Sequence, residues 1–310
     1  MYDDLPKLFY ASNNSDPFGY ADQKGTGVVM RVAPFAFGLK ERVDRLNAVY
    51  ENGVLTHGSA EALWSGAVHA EVLRSLYEDP AQSVVSAALS TLSLAPETFL
   101  PSSDMMQEWV GIFNAQPRNF LNELITVHRA VEEKVLLVAS ALEKSVSFEN
   151  CTELVKTYAP SLTAADSLVA AITLASQEGT DDGRLKHVAN SGRNIQLDTD
   201  TVNSLVGQLT GVRNINDSGS VLETRVQDFG VLQRFAGYVY AVAENNLGTY
   251  VALADDWKEH VVEANGLWHP IFGEAEVLSA EKKIGNGKMV VRRIRFEKGK
   301  TMVVKCRDKN

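Results

Sequence analysis

The sequence predicts an all-α protein with a short C-terminal β-hairpin appendage, and three observations lead to this fold class. Apolar residues recur at helical spacing up to about residue 265. Beyond Pro270 the pattern changes to β-branched runs. The chain has 310 residues with 45% hydrophobic content, which is enough to bury a substantial core. We therefore expect a helical domain over residues 1–270 and a basic β-hairpin appendage over residues 271–310.

Helical periodicity defines the elements of the body. A stripe of apolar residues at i, i+3, i+4 and i+7 follows Asp200, and Gly211 is expected to end that helix. The stripe consists of Val202, Leu205, Val206 and Leu209. Four further stretches show the same period between Gly, Pro, Asn and Asp residues: 59–77, 120–144, 164–177 and 231–246.

The C-terminal stretch KMVVRRIRFEKGKTMVVKC contains two β-branched runs around residues 297–300, which predicts a hairpin. Residues 281–310 hold eleven Lys and Arg against three acids, whereas residues 1–280 hold nineteen against thirty-six. Alternation would place Val290, Ile294 and Phe296 on one face of the first strand with Arg292. Val291 would lie on the other face with Arg293 and Arg295. The basic face favours an acidic partner, such as nucleic acid or another subunit. Alternatively, these charges only prevent an edge strand from aggregating.

Composition argues against several classes of protein. No apolar run approaches the roughly 20 residues that cross a bilayer, and the start MYDDLPKLFY lacks the pattern of a secretion signal. We therefore expect a cytoplasmic protein with no membrane association. Cys151 and Cys306 are far apart and lack CxxC or Cys/His spacing, which argues against a disulfide framework and a structural zinc site.

The stretch QLDTDTVNSL places Asp198 and Asp200 alternately with Thr199 and Thr201 at the start of a helix. One aspartate there accepts hydrogen bonds from free backbone N–H groups and thereby caps the helix. A second acid two residues away adds charge repulsion, which a divalent cation between the carboxylates would relieve. Asp and Thr oxygens are hard ligands that suit magnesium or calcium. The spacing alone leaves capping and metal binding both open.

Two further stretches contain candidate binding residues. In QKGTGVVMRVAPFAFG, a Gly25-Thr26-Gly27 turn leads into an apolar segment, and such a turn lets backbone N–H groups approach a phosphate. A bare GxG is also a common tight turn. Arg31 is either a phosphate ligand or a structural ion-pair partner. In LTHGSAEAL, His57 precedes a helix that Ser59 would cap.

Together and in this order, GTGVVMRVAP, THGSAEAL and DTDTVNSLVGQLTG resemble segments of one family, the ADP-ribosylglycohydrolases. The similarity runs from about Gly25 to Gly211, and its last motif is the most specific. It implies a compact orthogonal helical bundle and a pair of magnesium ions that assist hydrolysis of an ADP-ribosyl bond. The metal ligands would be Asp198, Asp200 and Thr201. The substrate-binding residues would be Gly25, Thr26 and Gly27 along the diphosphate of ADP-ribose, with Met30, Arg31 and His57.

The chain also departs from the family pattern. Gln196 and Leu197 replace the paired glycines before the Asp-x-Asp-Thr motif. Only 24 residues precede Gly25, where family members have a longer helical segment whose Thr-Asp-Asp motif supplies the other half of the metal ligands. Residues 2–4 (YDD) and 180–182 (TDD) are candidate substitutes, although the first lies near a terminus and the second fits a solvated turn. The catalytic residue is therefore left unassigned.

Two classes of function follow from this resemblance. The first is a metal-dependent hydrolase that removes ADP-ribose from a modified macromolecule, alone or with a partner subunit that supplies the missing ligands. The second is a non-catalytic module that binds ADP-ribose, a nucleotide or a regulatory partner with the same fold. A truncated or catalytically inactive form of a longer enzyme would also account for the short N-terminal segment.

Overall fold

The computed structural model describes residues 20–114, 118–177 and 198–213, parts of 232–240, and five strands between residues 267 and 307. The chain divides into two compact units, Met1–Ser218 and Gly219–Asn310. In the first unit, all regular structure among the described residues is helical. The helices are α1 Gly27–Met30, α2 Ala33–Gly38, α3 Arg42–Gly53, α4 Ala60–Glu78, α5 Val84–Leu92, α6 Asp104–Asn114, α7 Phe120–Leu142, α8 Phe148–Tyr158, α9 Ala164–Ala175 and α10 Thr199–Arg213, with short 3-10 turns at Tyr20–Asp22 and Pro96–Phe99.

Helix α4 lies at the centre of this unit and contacts α1, α2, α3, α5, α7, α9 and α10. Its start is capped as predicted, because the Ser59 hydroxyl accepts the Ala62 N–H at 3.1 Å. Almost the whole helix is buried, including Trp64 and Leu73. A Cβ at Gly66 would lie 2.6 Å from a methyl carbon of Val28, so this glycine allows α1 to pack directly on α4.

Helix α10 confirms the predicted stripe and corrects its predicted end. The stripe residues Val202, Leu205, Val206 and Leu209 are all fully buried. The helix packs on α9, α4 and α1. It continues through Gly211 to Arg213, so the predicted stop at Gly211 was wrong. A Cβ at Gly211 would meet nothing within 4 Å, whereas Val212 is buried, and burial of Val212 favours one more helical turn.

The other helical predictions in the body are confirmed where the structure describes them. The stretch 120–144 contains α7, Phe120–Leu142, at whose start the Asn119 side chain accepts the Asn122 N–H at 2.9 Å, and the stretch 164–177 contains α9, Ala164–Ala175. In the stretch 231–246 the described residues, which lie between Leu232 and Tyr240, are helical. No helix in the described ranges is both long enough and apolar enough to cross a membrane.

The second unit contains a five-stranded sheet whose described neighbours pair antiparallel. The strands are β1 Leu267–His269, β2 Gly273–Val277, β3 Lys282–Ile284, β4 Met289–Phe296 and β5 Thr301–Arg307. Strand β4 pairs with β5 from Met289↔Arg307 to Arg295↔Thr301, and it also pairs with β2 and β3. The side chains of Val290, Ile294, Phe296 and Arg293 lie outside the part of the chain that the structure describes. Three statements about this region stay predictions. They are the domain boundary between residues 270 and 271, the hairpin as a separate appendage, and the division of its first strand into two faces.

Candidate active site

The structure brings the glycine loop and the start of α10 together, although they are far apart in sequence. The hydroxyls of Thr26 and Thr201 lie 3.2 Å apart, and both residues are buried. The Thr201 hydroxyl also lies 2.9 Å from Asp198 Oδ2 and 3.4 Å from the sulfur of Met30. A hydroxyl has one proton, and a carboxylate is the strongest acceptor within reach. Thr201 therefore donates to Asp198, and Thr26 donates to Thr201.

Asp198 caps α10, which begins one residue earlier than the sequence predicted. Its carboxylate accepts the backbone N–H of Thr201, and its carbonyl accepts the N–H of Val202 at 2.9 Å. Asp200 lies in the first turn with an exposed side chain. Both carboxylates therefore interact with N–H groups of the first turn, and Asp198 in addition accepts the Thr201 hydroxyl at 2.9 Å.

The two carboxyl groups interact with each other. Their mutual hydrogen bond raises the pKa of Asp198, and partial burial raises it further. The same hydrogen bond lowers the pKa of Asp200. Two adjacent carboxylates share a proton in this way because like charges at short distance repel, and a bound cation relieves that repulsion equally well.

The residues present fit part of a magnesium site. Asp198, Asp200 and Thr201 offer only oxygen atoms, which is the donor chemistry that magnesium prefers. Within the described ranges, no group of three or more His, Cys, Asp and Glu residues is arranged to hold a metal ion. The two candidate substitutes at 2–4 and 180–182, and the pair Gln196 and Leu197, lie outside the described residues. Two carboxylates and a hydroxyl are therefore the donors that the described site provides.

The glycines of the loop have a role that the sequence analysis did not anticipate. A Cβ at Gly27 would lie 2.8 Å from Cε1 of His57, and one at Gly25 would lie 3.1 Å from its Nε2. The absence of side chains at both positions thus admits the imidazole ring against the loop. The backbone around His57 is held by the Gly58 N–H, which donates to the Tyr20 carbonyl at 3.0 Å. Only the fold could reveal this contact, because Gly27 and His57 belong to separate helix starts.

Arg31 lies beside this loop and is held by uncharged groups. Its Nε donates to the side chain of Asn52, and its Nη2 donates to the Asn52 carbonyl at 3.0 Å and to the Thr56 hydroxyl at 2.6 Å. None of its contacts in the described part of the chain is an ion pair. Its Nη1 lies 3.7 Å from the position that a Cβ of Gly27 would occupy. A guanidinium charge without a counter-charge in these ranges is therefore presented next to the glycine loop.

Thr56 connects Arg31 to His57. Its hydroxyl lies 2.8 Å from Nδ1 of His57 and 3.4 Å from the Gly53 carbonyl, so the shorter contact takes the hydroxyl proton. The His57 proton then resides on Nε2, the atom that faces Gly25. Burial and the charge of Arg31 lower the pKa of His57, which favours the neutral ring. Asn52 and Thr56 were not among the predicted site residues, although Thr56 directly precedes His57.

A groove of about 390 Å³ lies near the start of the glycine loop but contains none of the predicted site residues. Its charges pair with one another, because Lys24 contacts Glu61 at 3.1 Å and Arg118 contacts both Asp22 and Glu123. The groove is lined by Asp22, Lys24, Ser59, Glu61, Arg118, Asn122, Glu123, Thr126 and Val127. The internal pairing leaves it without an obvious ligand preference, so the candidate site stays at Thr26 and Thr201.

The first unit is thus a helical domain in which a glycine loop meets an Asp-x-Asp-Thr helix start. The chain matches the family model described as ADP-ribosylglycohydrolase over residues 7–215. It therefore belongs to the ADP-ribosylglycohydrolase family, whose members are hydrolases that act on ADP-ribosyl linkages. No curated protein matches the chain. The matched range extends beyond both ends of the similarity that the sequence motifs indicated.

Proposed function

We propose that this chain is a magnesium-dependent hydrolase that releases ADP-ribose from a modified macromolecule. The observation that carries the proposal is the contact of Thr26 with Thr201, and of Thr201 with Asp198. This contact joins a candidate phosphate-binding loop to a set of hard oxygen donors. An ADP-ribosyl group offers both a diphosphate and ribose hydroxyls, so these two halves match the two parts of one ligand.

The oxygen donors would hold the metal. Asp198, Asp200 and Thr201 would bind magnesium, which when bound polarises the sugar linkage and lowers the pKa of a bound water. The Thr201 hydroxyl donates its proton to Asp198 and accepts from Thr26, so one of its two lone pairs is left for a metal ion. The remaining ligands and the catalytic residue would come from other segments of this chain or from a partner subunit.

The anionic part of the ligand would lie against Arg31 and His57. Arg31 supplies a positive charge that no acid in the described ranges neutralises, and His57 supplies a neutral Nε2–H donor. Both groups lie at the glycine loop, where a diphosphate would find two N–H donors of different charge. Met30 also lies at this site, with its sulfur 3.4 Å from the Thr201 hydroxyl.

The described site also supports a second candidate function, a non-catalytic module that binds ADP-ribose. The observation that favours it is that two carboxylates are the only acids in the described site. Two carboxylates bind magnesium weakly unless further oxygens join them. ADP-ribose would then be recognised through Arg31 and His57 without hydrolysis.

Release of ADP-ribose tests the proposal directly. The full chain is incubated with ADP-ribosylated protein or nucleic acid, with and without magnesium, and free ADP-ribose is measured. We expect release that needs magnesium. Asp200→Asn should abolish it, because the variant loses a metal ligand, and it should still fold, because the side chain is exposed. Binding of ADP-ribose without any release would favour the module. Absence of both binding and release would contradict the proposed function.

A further inference from the structure

A chain of three polar groups links α4, α10 and α1 beside the candidate site, and it runs from a buried residue, His69, to two half-buried residues, Gln208 and Met30. His69 is fully buried in the middle of α4, and its Nε2 lies 3.1 Å from Oε1 of Gln208 on α10. The Gln208 side chain then reaches the carbonyl of Met30, the last residue of α1, at 2.9 Å. The imidazole of His69 is costly to bury unless its N–H finds an acceptor, and the Gln208 amide supplies that acceptor.

The direction of the chain follows from its last acceptor. The Met30 carbonyl can only accept, so the NH₂ group of Gln208 must face it. The amide oxygen of Gln208 then faces His69, and His69 must carry its proton on Nε2. Among the residues that the structure describes, Nδ1 of His69 has no hydrogen-bond partner, as expected of an unprotonated nitrogen in apolar surroundings. The chain therefore runs from His69 to Gln208 to Met30.

This chain ties α1 to α10 at a second point. Helix α1 has four residues, too few to hold its own position by internal hydrogen bonds. At its N-terminal end Thr26 contacts Thr201, and at its C-terminal end the Met30 carbonyl accepts a hydrogen bond from the Gln208 side chain. With both ends held, α1 cannot slide along α10 without breaking one of these contacts.

We infer that Gln208 and His69 are positioning residues that fix the glycine loop and Arg31 at a set distance from the Asp198–Thr201 oxygen donors. For its effect on ligand binding the inference rests on the proposed function. Gln208 holds α1 at Met30, and the adjacent Arg31 depends on that position. His69 acts through Gln208, because it fixes the orientation of the amide.

Two readouts test the inference. Hydrogen exchange of the peptide over residues 25–31 reports the position of α1, and calorimetry with ADP-ribose reports binding. We expect Gln208→Leu to accelerate exchange in this peptide about tenfold and to weaken ADP-ribose binding by about the same factor. Gln208→Glu keeps the size of the side chain but cannot donate to Met30, so it should give the same result if the leucine variant does not fold. Exchange in α9 should stay unchanged.

Matched variants separate positioning from general stability. Thr210→Val removes a buried hydroxyl of α10 that bonds within the helix to the Val206 carbonyl at 3.0 Å, and it should leave both readouts as in the native chain. His69→Gln can still donate to Gln208, so its exchange rate over residues 25–31 and its affinity for ADP-ribose should stay within about threefold of native. His69→Leu should behave like Gln208→Leu. Native exchange over residues 25–31 in folded Gln208→Leu or Gln208→Glu, or equal acceleration in Thr210→Val, would overturn the inference. If the native chain does not bind ADP-ribose, the proposed function fails and the exchange result still decides the positioning role.

Discussion

At the scale of single residues, Asp198 and Asp200 carry different tasks within one motif. Asp198 caps α10 and accepts the Thr201 hydroxyl, whereas Asp200 is exposed and interacts chiefly with its neighbour. The sequence predicted that one of the two aspartates would cap the helix but did not determine which one. The start of α10 should therefore tolerate substitution of Asp200 better than loss of Asp198.

The two tasks predict different stabilities for substitutions of the two aspartates. Asp198→Ala should lower the free energy of unfolding by about 1 kcal/mol, because the cap is lost, and Asp198→Asn should preserve it. Asp200→Asn should leave unfolding by urea close to native. All three variants should weaken magnesium binding, measured by calorimetry. Equal magnesium affinity in native, Asp198→Asn and Asp200→Asn proteins would contradict the assignment of these residues as ligands.

The loop glycines lead to a second prediction at this scale. Gly27→Val should weaken ADP-ribose binding more than Arg31→Lys, because a Cβ at position 27 would come within 2.8 Å of Cε1 of His57 and displace the ring. Arg31→Lys keeps the charge and loses only part of the hydrogen bonding. Gly211→Val is the matched control, since a Cβ there meets nothing within 4 Å. Stronger loss in the lysine variant would show that His57 and the glycine loop matter less than the guanidinium.

At the scale of elements, the sequence predicts helices well where a long apolar stripe meets one core. Stretches 59–77, 120–144 and 164–177 fold as expected because their period matches the helix and their starts carry capping side chains. Helix α1 has only four residues, too few to show a period. The contact between Thr26 and Thr201 joins residues 175 apart, so only the family resemblance pointed to it. The contacts of Asn52, Gln208 and His69 had no local signal at all.

The burial of His69 inside α4 makes stability depend on pH. Burial lowers the pKa of His69 to about 4, whereas the unfolded chain has the ordinary value of 6.5. Between these values the unfolded state binds more protons, so stability is full above pH 6.5 and falls as the pH drops toward 4. The loss from this residue should be on the order of 3 kcal/mol.

A substitution isolates that contribution. Urea unfolding at several pH values between 7 and 4 should show a smaller loss of stability in His69→Gln than in the native chain. Some dependence should remain, because burial also lowers the pKa of His57 and of His128. An unchanged pH dependence in the variant would mean that His69 is protonated without cost, contrary to its burial.

At the scale of the whole molecule, the family match and the first compact unit end at nearly the same place, and the basic segment lies further along the chain. The family model covers residues 7–215, and the first compact unit ends at Ser218. Residues 281–310 carry eleven basic and three acidic residues, so the positive charge lies outside the matched region. Sequence composition revealed this asymmetry directly, because charge is counted without knowledge of the fold. The partner of the basic segment depends on which side chains share a face, which composition does not determine.

The final prediction concerns the C-terminal unit, which contains the basic segment 281–310. We expect the full chain to bind oligonucleotides with an affinity that falls steeply with salt, because each neutralised phosphate releases counterions. A chain that ends at residue 218 retains the family-matched region, so it should fold and bind ADP-ribose like the full chain while oligonucleotide binding is lost. A cut at residue 218 removes the whole sheet, whereas a cut after β3 would leave β2 and β3 without β4, the strand with which both pair. Replacing Arg293 and Arg295 by Gln in the full chain is the matched control and should lower the salt dependence without altering ADP-ribose binding. If the shortened chain folds and binds single- and double-stranded oligonucleotides like the full chain at low and moderate salt, the basic segment has no nucleic-acid role and its charges serve solubility alone.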